Sequence, residues 1–376
     1  MARKRGNGEG SITRRKDGLY MARYTVETAI GAKRKTLYGK TRGEVSEKLT
    51  KAMADRDDGL VFDADNLKVG EYLERWLVDS VLDTVRPTTY ERYEQIVRIH
   101  VRPALGSVKL KNLTPVHVRG LYREKLEEGL SARTVRYIHV TLHKALKQAV
   151  QDGLIPRNAT EAVKAPQVRR EEMRPLSGDQ VKVLLEVARG DRLEALYVLA
   201  IHTGLRQSEL LGLKWEDVDL ESGTLRVRRT LVTAKGGPVL TAPKTKGSRR
   251  SVKLTQGAVE ALRSHLKHQL QEIDRAGSLW RENGLMFASE SGEPLDRRYL
   301  TSCRYKALLK RAELPMIRFH DLRHTCATLL LSKNVNPKIV SEMLGHASIA
   351  ITLDTYSHVL PNMRDQAAAA MEEALS

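Results

Sequence analysis

Two hydrophobic periodicities divide the chain. Over residues 8–40 the runs GSITRRKDG, LYMARYTVET and KRKTLYGK are short and separated by Asp17-Gly18 and Ala29-Ile30-Gly31, both suited to hairpin turns. In the middle run Tyr20, Ala22, Tyr24 and Val26 alternate with Leu19, Met21, Arg23 and Thr25, so one face can pack while the other carries cations. Thr41 then caps a helix, TRGEVSEKLTKAMADRD. The pattern predicts a three-stranded sheet backed by one helix over residues 1–55, followed by a linker at RDDGLVFDADN, residues 56–66.

From there the period lengthens to that of helices. Val69, Tyr72, Leu73, Trp76 and Leu77 mark the first, and Tyr90, Tyr93, Ile96 and Val97 the second, which Pro87 and Thr88 begin. Thr114-Pro115 is an N-cap followed by a proline at the first helical position, opening the third. Ser131 caps a fourth that buries Val135, Ile138, Leu142, Ala145, Leu146 and Ala149 and ends at Gly153. Residues 66–153 therefore read as a helical bundle. Its helices also carry Arg86, Arg92, Arg98, Arg133, Arg136, Lys144 and Lys147.

Prolines at 156, 166 and 175 with VRREEMR between them mark an interdomain linker. The last domain, 175–376, opens at Ser177 as an N-cap, with helices through Ala188 and over residues 192–203. TLRVRRT, GPVLTAP and RRSVKL predict a three-stranded sheet, with Asp219–Gly223 a turn and Lys244 on the turn into the last strand. The remainder is helical apart from GLMFAS, and the chain closes on a short alanine-rich helix whose apolar side is Ala367, Ala370 and Met371.

Charge sharpens this division. The 376 residues carry 64 Lys+Arg against 46 Asp+Glu, a net charge of +18, which argues for a polyanionic partner. Residues 1–51 alone hold 14 Lys+Arg and 5 Asp+Glu, so the first module is strongly basic. No apolar run approaches the ~18 residues of a membrane span, and MARKRGNGEG has no hydrophobic signal core. Cys303 and Cys326 are too few for a disulfide framework or a zinc site. The expectation is a cytoplasmic protein of a bacterium or phage that needs no metal or other cofactor.

Candidate chemistry gathers in RFHDLRHTCATLLLSKNVNPKIVSEMLGHASIAITLDTYSHV, residues 318–359. His320 and Arg323 lie one helical turn apart. His346 follows in LGHAS, where Gly345 suits a left-handed helix C-cap, and Tyr356 follows in TLDTYSHV. Upstream stand Arg206 in TGLRQSEL and Lys244 in APKTKGSRRSV. Two guanidiniums, two imidazoles, an ammonium and a phenol, without a carboxylate pair or metal-ligand cluster, suit a site that grips a phosphodiester and attacks it.

The order of these boxes, TGLRxSEL, a lysine in a basic hairpin, HxLRH, LGH and a tyrosine, resembles the tyrosine recombinase (phage integrase) family over roughly residues 175–360. The resemblance implies a multidomain chain, mainly α with small β-sheets: an arm-type DNA-binding sheet and helix, a helical core-binding domain and a mixed α+β catalytic domain. It implies Tyr356 as nucleophile forming a 3′-phosphotyrosine, Arg206 and Arg323 on the non-bridging oxygens, and His346 orienting the phosphate. His320 would move the tyrosine's proton, and Lys244, with Lys246 the alternative, would be general acid. His324 and His358 match no catalytic position and read as structural, while Glu209 would hold Arg206 or its helix turn. Val252-Lys253 stands where many members have a proline.

For DNA contacts the candidates are Arg14, Arg15, Arg23 and Lys35 in the arm module, and Arg133 and Thr134 at the start of the fourth bundle helix. The implied partners are double-stranded attachment sites of core and arm type, a homotetramer formed on DNA with the tail docking on a neighbour, and a directionality factor and DNA-bending protein. A Xer-like resolvase of chromosome dimers generally lacks the basic sheet module, and a type IB topoisomerase would not need one. A silent DNA-binding regulator on the same scaffold is opposed by the filled catalytic positions, and a metal nuclease by the lack of clustered carboxylates.

Overall fold

The structure, a computed structural model, describes residues 10–28, 31–57, 66–168, 173–234, 237–243, 249–356 and 371–375. The chain separates into two compact units, Met1–Arg170 and Glu171–Ser376.

The first unit begins with an antiparallel sheet, β1 (Ser11–Arg14), β2 (Tyr20–Thr28) and β3 (Gly31–Gly39), in the order β1-β2-β3. Helix α1 (Arg42–Asp57) covers one face. Its first turn is closed as the sequence predicts: the Glu44 amide donates to Thr41 Oγ1 at 3.1 Å, and the Lys40 amide to Glu44 Oε2 at 2.9 Å. Ala22 and Tyr24 pack with Val45, Leu49 and Ala52 in a small core of their own.

Register then settles which face each cation takes, because directly opposed residues share a face. Arg23 opposes Ser11 and Thr36, and Arg34 opposes Thr25, all on the open face. Lys35 opposes Tyr24, and Arg14 opposes Tyr20, so both belong to the helix-covered face. Arg14 lies 5.7 Å from the centre of the Tyr20 ring. Arg15, beyond β1, lies 5.4 Å from the centre of the Tyr38 ring and pairs with Asp17 at 3.2 Å.

The helical bundle comprises α2 (Val69–Trp76), α3 (Pro87–Ile96), the short α4 (Arg102–Leu105), α5 (Pro115–Glu127) and α6 (Ala132–Gln151). Helices α2 and α3 each run on into a widened π turn, Leu77–Val81 and Val97–Val101. The cap residues read from the sequence act as caps: the His117 amide donates to Thr114 and the Thr134 amide to Ser131. Every apolar residue assigned to α6 is buried, in one core with Val69, Leu73, Trp76, Ile96 and Val97. Ile155, Ala159 and Val163 join that core, and Thr160 Oγ1 meets His143 Nδ1 at 2.8 Å. The stretch after Gly153, read as linker, thus packs on the bundle at these points.

The second unit is built around α8 (Glu194–Thr203), whose residues from Ala195 to Ile201 are all buried, as expected of a helix enclosed on every side. Helix α7 (Gly178–Ala188) precedes it, and α9 (Gln207–Leu210) and α10 (Gln256–Ala276) follow. The sheet differs from expectation. Strands β4 (Val218–Asp219), β5 (Thr224–Val227) and β8 (Arg250–Lys253) form one sheet, while β6 (Thr230–Ala234) and β7 (Gly237–Thr241) form a separate hairpin. TLRVRRT, whose pattern predicts one strand, breaks between Val227 and Thr230. There Arg229 bonds the buried Asp217 at 2.8 Å, with Arg228 3.8 Å from the same carboxylate. The C-terminal part adds α11 (Tyr305–Arg311), α12 (Asp321–Ser332), α13 (Pro337–Leu344) and α14 (Ile349–Tyr356). Among the described residues no helix is long and apolar enough to cross a membrane.

Candidate active site

Two left-handed glycines and two arginines tie the boxes together. Helix α8 ends at Gly204 (φ 60°) and α13 at Gly345 (φ 67°), each turning the chain sharply. Arg206, at the N-cap of α9, donates from Nη2 to the Gly345 carbonyl at 3.1 Å. Arg323, in the first turn of α12, donates from Nη1 to the Gly204 carbonyl at 2.8 Å. Each guanidinium thus holds the turn that carries the other half of the site. A Cβ at Gly204 would lie 2.5 Å from Leu344 Cδ2, so the two turns are also in direct contact.

Glu209 anchors the cationic side. Its carboxylate is 1 % exposed and accepts from Arg206 Nη1 at 2.8 Å, from the Arg206 amide at 2.9 Å and from Arg250 Nη2 at 2.9 Å. Burial pushes its carboxyl up, but the hydrogen bond and charge of Arg250, followed by those of Arg206, outweigh that and leave it low. Arg250 Nε also bonds the Met343 carbonyl at 2.6 Å, joining β8 to the end of α13.

Arg323 is 3 % exposed, and its Nη2 is buried with no partner among the described residues. Burial, and then the charge of Arg206, pushes its guanidinium down to about 10, so it remains a cation at neutral pH. An unpaired buried donor costs about 1–3 kcal/mol, a cost that an anionic oxygen bound there would remove.

The imidazoles and the phenol complete the cluster. His346 Nδ1 lies 2.8 Å from Thr352 Oγ1 in α14, and burial, then Arg323 and Arg206, pushes its imidazole down to about 4. Tyr356 is 1 % exposed, and its hydroxyl lies 2.8 Å from His324 Nδ1. Burial raises the phenol to about 12, against the lowering pull of Arg323. His324 is pushed down to about 4 by burial and then by His320. His320 stands at the N-cap of α12, exposed, with its ring centre 5.1 Å from that of His324. Three guanidiniums, Arg206, Arg250 and Arg323, stand by one buried carboxylate, Glu209, which bonds Arg206 and Arg250 alone, leaving a net positive site among the described residues. Such a site binds an anion, and a phenol beside it can attack one.

The phage integrase family pattern matches residues 174–363, and that of the phage integrase N-terminal SAM-like domain matches residues 68–126. A relative named tyrosine recombinase XerC-like, from Caldanaerobacter subterraneus subsp. tengcongensis, is 33 % identical over 353 residues, covering 89 % of this chain and 90 % of that protein. The chain belongs to the phage integrase family. It is a tyrosine recombinase enzyme. Among solved structures, the Tn1549 transposon integrase in complex with circular intermediate DNA is similar with a TM-score of 0.67 and 25 % identity, over 82 % of this chain and all of that one. A lambda integrase dimer bound to a core site has a TM-score of 0.58 at 20 % identity, over 96 % of this chain and 97 % of that one, which extends the likeness of fold to nearly the whole length.

In this recombinase the fold brings together Arg206, His320, Arg323, His346 and Tyr356, the residues singled out from the sequence. Lys244 and its alternative Lys246 lie outside the described residues, as does His358. Arg133 is exposed in the first turn of α6, whereas Thr134 Oγ1 is engaged with Ser131 Oγ at 2.9 Å.

Three further residues join these. His324, read as structural, touches the Tyr356 hydroxyl, and its spacing of four from His320 in HDLRH already put the two on one helix face. Arg250 shares strand parity with the buried Val252, which marks it as inward-facing. Arg34, rather than its neighbour Lys35, joins Arg23 on the open face of the arm-module sheet.

Proposed function

We propose that this enzyme is a site-specific recombinase that integrates and excises a phage or other mobile element by cleaving and rejoining DNA through a 3′-phosphotyrosine. Tyr356 attacks the scissile phosphate, Arg206 and Arg323 neutralise its non-bridging oxygens, and His346 orients it. His320 takes part in proton transfer, and Lys244 protonates the departing 5′-oxygen. The substrates are double-stranded attachment sites of core and arm type. Residues 66–153 and 175–376 handle the core site and residues 1–55 the arm sites. The working unit is a homotetramer on DNA, assisted by a directionality factor and a DNA-bending protein, in the bacterial cytoplasm at the nucleoid.

The observation that carries this reading is the buried, unpaired Nη2 of Arg323 in a family member whose Arg206 holds the Gly345 turn that leads into His346 and whose Tyr356 is bonded to His324, the residue after Arg323. A phenol nucleophile keeps the energy of the broken ester in a covalent bond, so rejoining needs no ATP. The XerC-like name of one relative favours a chromosome-dimer resolvase. Against it stands the basic sheet module, with Arg23 and Arg34 on an open face. That relative's alignment covers more of the chain than residues 66–376 contain, so it too reaches into the N-terminal region.

The test is covalent trapping. Full-length protein and Tyr356→Phe are incubated, without metal, with nicked duplexes tiled across the ends of the element that encodes the chain. A protein–DNA adduct on a denaturing gel that disappears with Tyr356→Phe is the expected result. An adduct that survives the substitution refutes the assignment of Tyr356.

A further inference from the structure

We propose that His324 is a catalytic residue of this enzyme, the group that orients the Tyr356 hydroxyl and accepts its proton as the phenol attacks. Among the described residues, His324 is the one whose side chain is hydrogen-bonded to the Tyr356 hydroxyl, Nδ1 to Oη at 2.8 Å. The ring centres of the pair are 5.8 Å apart at 55°, so the phenol is held by its hydroxyl and not by stacking. A tyrosine hydroxyl carries one proton. With that proton directed at Nδ1, the oxygen lone pairs are free to meet a phosphorus atom, and the imidazole keeps its own proton on Nε2.

In the free protein burial and the neighbouring His320 push the His324 imidazole down to about 4, so it is neutral at physiological pH, with Nδ1 open to a proton but only weakly basic until substrate binds. The phenol needs help, because burial pushes it up to about 12 while Arg323 pulls the other way. Binding an anionic phosphodiester next to Arg206, Arg323 and His324 would raise the basicity of the imidazole at the moment it is needed. His320, which also takes part in proton transfer, meets this pair through its ring contact with His324 at 5.1 Å. That places it one step behind, where it tunes or relays rather than accepts first.

The Tyr356 Oη–P bond forms and the P–O5′ bond breaks. The phenolic proton passes to His324 Nδ1, giving an imidazolium, and the 5′-oxygen takes a proton from the general acid. On rejoining, the 5′-hydroxyl gives its proton back to the deprotonated general acid as its oxygen attacks phosphorus, the P–Oη bond breaks, and the imidazolium returns its proton to Oη.

This inference rests on Tyr356 being the nucleophile, and the experiment separates the two. Single-turnover cleavage of the same nicked duplexes is measured for the full-length chain, for His324→Asn and for His324→Phe. Asparagine can place an oxygen near the Nδ1 position and accept the hydrogen bond but not the proton. Phenylalanine keeps a ring and removes both. Loss of general-base assistance predicts cleavage slower by about 10²–10⁴-fold in both variants, with thermal midpoints kept as a check on folding. Each is then repeated with a fluorinated tyrosine at position 356, whose phenol ionises far more readily. The proposal expects the His324→Asn penalty to shrink to less than about tenfold with this nucleophile, since general-base assistance scales with the proton's reluctance to leave. An equal penalty with both nucleophiles makes His324 structural and overturns the proposal, as does wild-type cleavage by His324→Asn. If His324→Phe does not fold, the Asn variant alone decides. An adduct persisting in Tyr356→Phe would instead sink the nucleophile assignment beneath it.

Discussion

Glu209→Gln is the substitution that most directly probes how the cationic site is held together. The carboxylate is 1 % exposed and bonds Arg206 at 2.8 Å and Arg250 at 2.9 Å, with the Arg250 side chain 7 % exposed and that of Arg206 36 % exposed. Glutamine keeps the shape, removes the charge and turns an N–H₂ toward two guanidiniums that can only donate. Breaking a buried ion pair costs about 3–5 kcal/mol because the surviving charge stays buried. Arg206 is open enough to be partly rehydrated, so about 3 kcal/mol, mostly from Arg250, is the expected loss. In a unit of this size each kcal/mol lowers the melting temperature by about 2–4 °C, giving a shift of roughly 6–12 °C. Calorimetry and urea unfolding of the full chain measure it. A second variant, Glu209→Gln with Arg250→Met, removes both partners and is expected to recover part of the loss. The pH dependence has a fixed sign: a carboxyl held low when folded contributes stability above the unfolded carboxylate pKa and loses it as pH falls through the lower folded value. A melting shift under about 2 °C, or no recovery in the double variant, would refute the view of Glu209 as the compensating charge of the site.

Further expectations concern the histidines and the arm module. His324 and His346, each held down to about 4 by burial, are expected to titrate near there by NMR in the free protein. Because the unfolded chain binds those protons from about pH 6.5 downward, stability should fall as pH drops from 6.5 toward 4, by up to about 3 kcal/mol per histidine; midpoints of 6 or above would contradict the burial argument. In the arm module, Arg23→Ala and Arg34→Ala should each weaken duplex DNA binding and lower the salt slope by about one, while Arg14→Ala and Lys35→Ala should leave the slope nearly unchanged. Equal effects at all four positions, measured by anisotropy across a salt series, would mean that sheet register does not select the DNA face.

What the sequence made legible are features whose causes lie close together in the chain. Thr114, Ser131 and Ser177 act as caps because each needs only an amide three residues ahead. Gly204 and Gly345 turn where TGLR and LGH place them, and the apolar stripe of α6 is buried throughout. The faces of the arm module were half legible. Strand parity groups Lys35 with one set and Arg34 with the other, yet only pairing with Tyr24 or Thr25 says which set meets the helix. The broken strand at Arg228-Arg229 needed Asp217, a buried carboxylate outside the run, to become visible.

The candidate site divides along the same line. Residue types and order marked Arg206, Arg323, His346 and Tyr356, but compensation is a tertiary property. Glu209 offsets Arg250 from 41 residues away, and His324 meets Tyr356 across 32. His324 had helical spacing in its favour and still passed as structural, because the atom that gives it a role sits on α14. For the same physical cause the strongest sign of an anion, the unpaired Nη2 of Arg323, has no counterpart in any motif. It emerges only when the partners of neighbouring donors are accounted for: Arg206 on Gly345 and Glu209, Arg250 on Met343 and Glu209, and Arg323 Nη1 on Gly204. A cation is buried at that cost where a ligand will offset it.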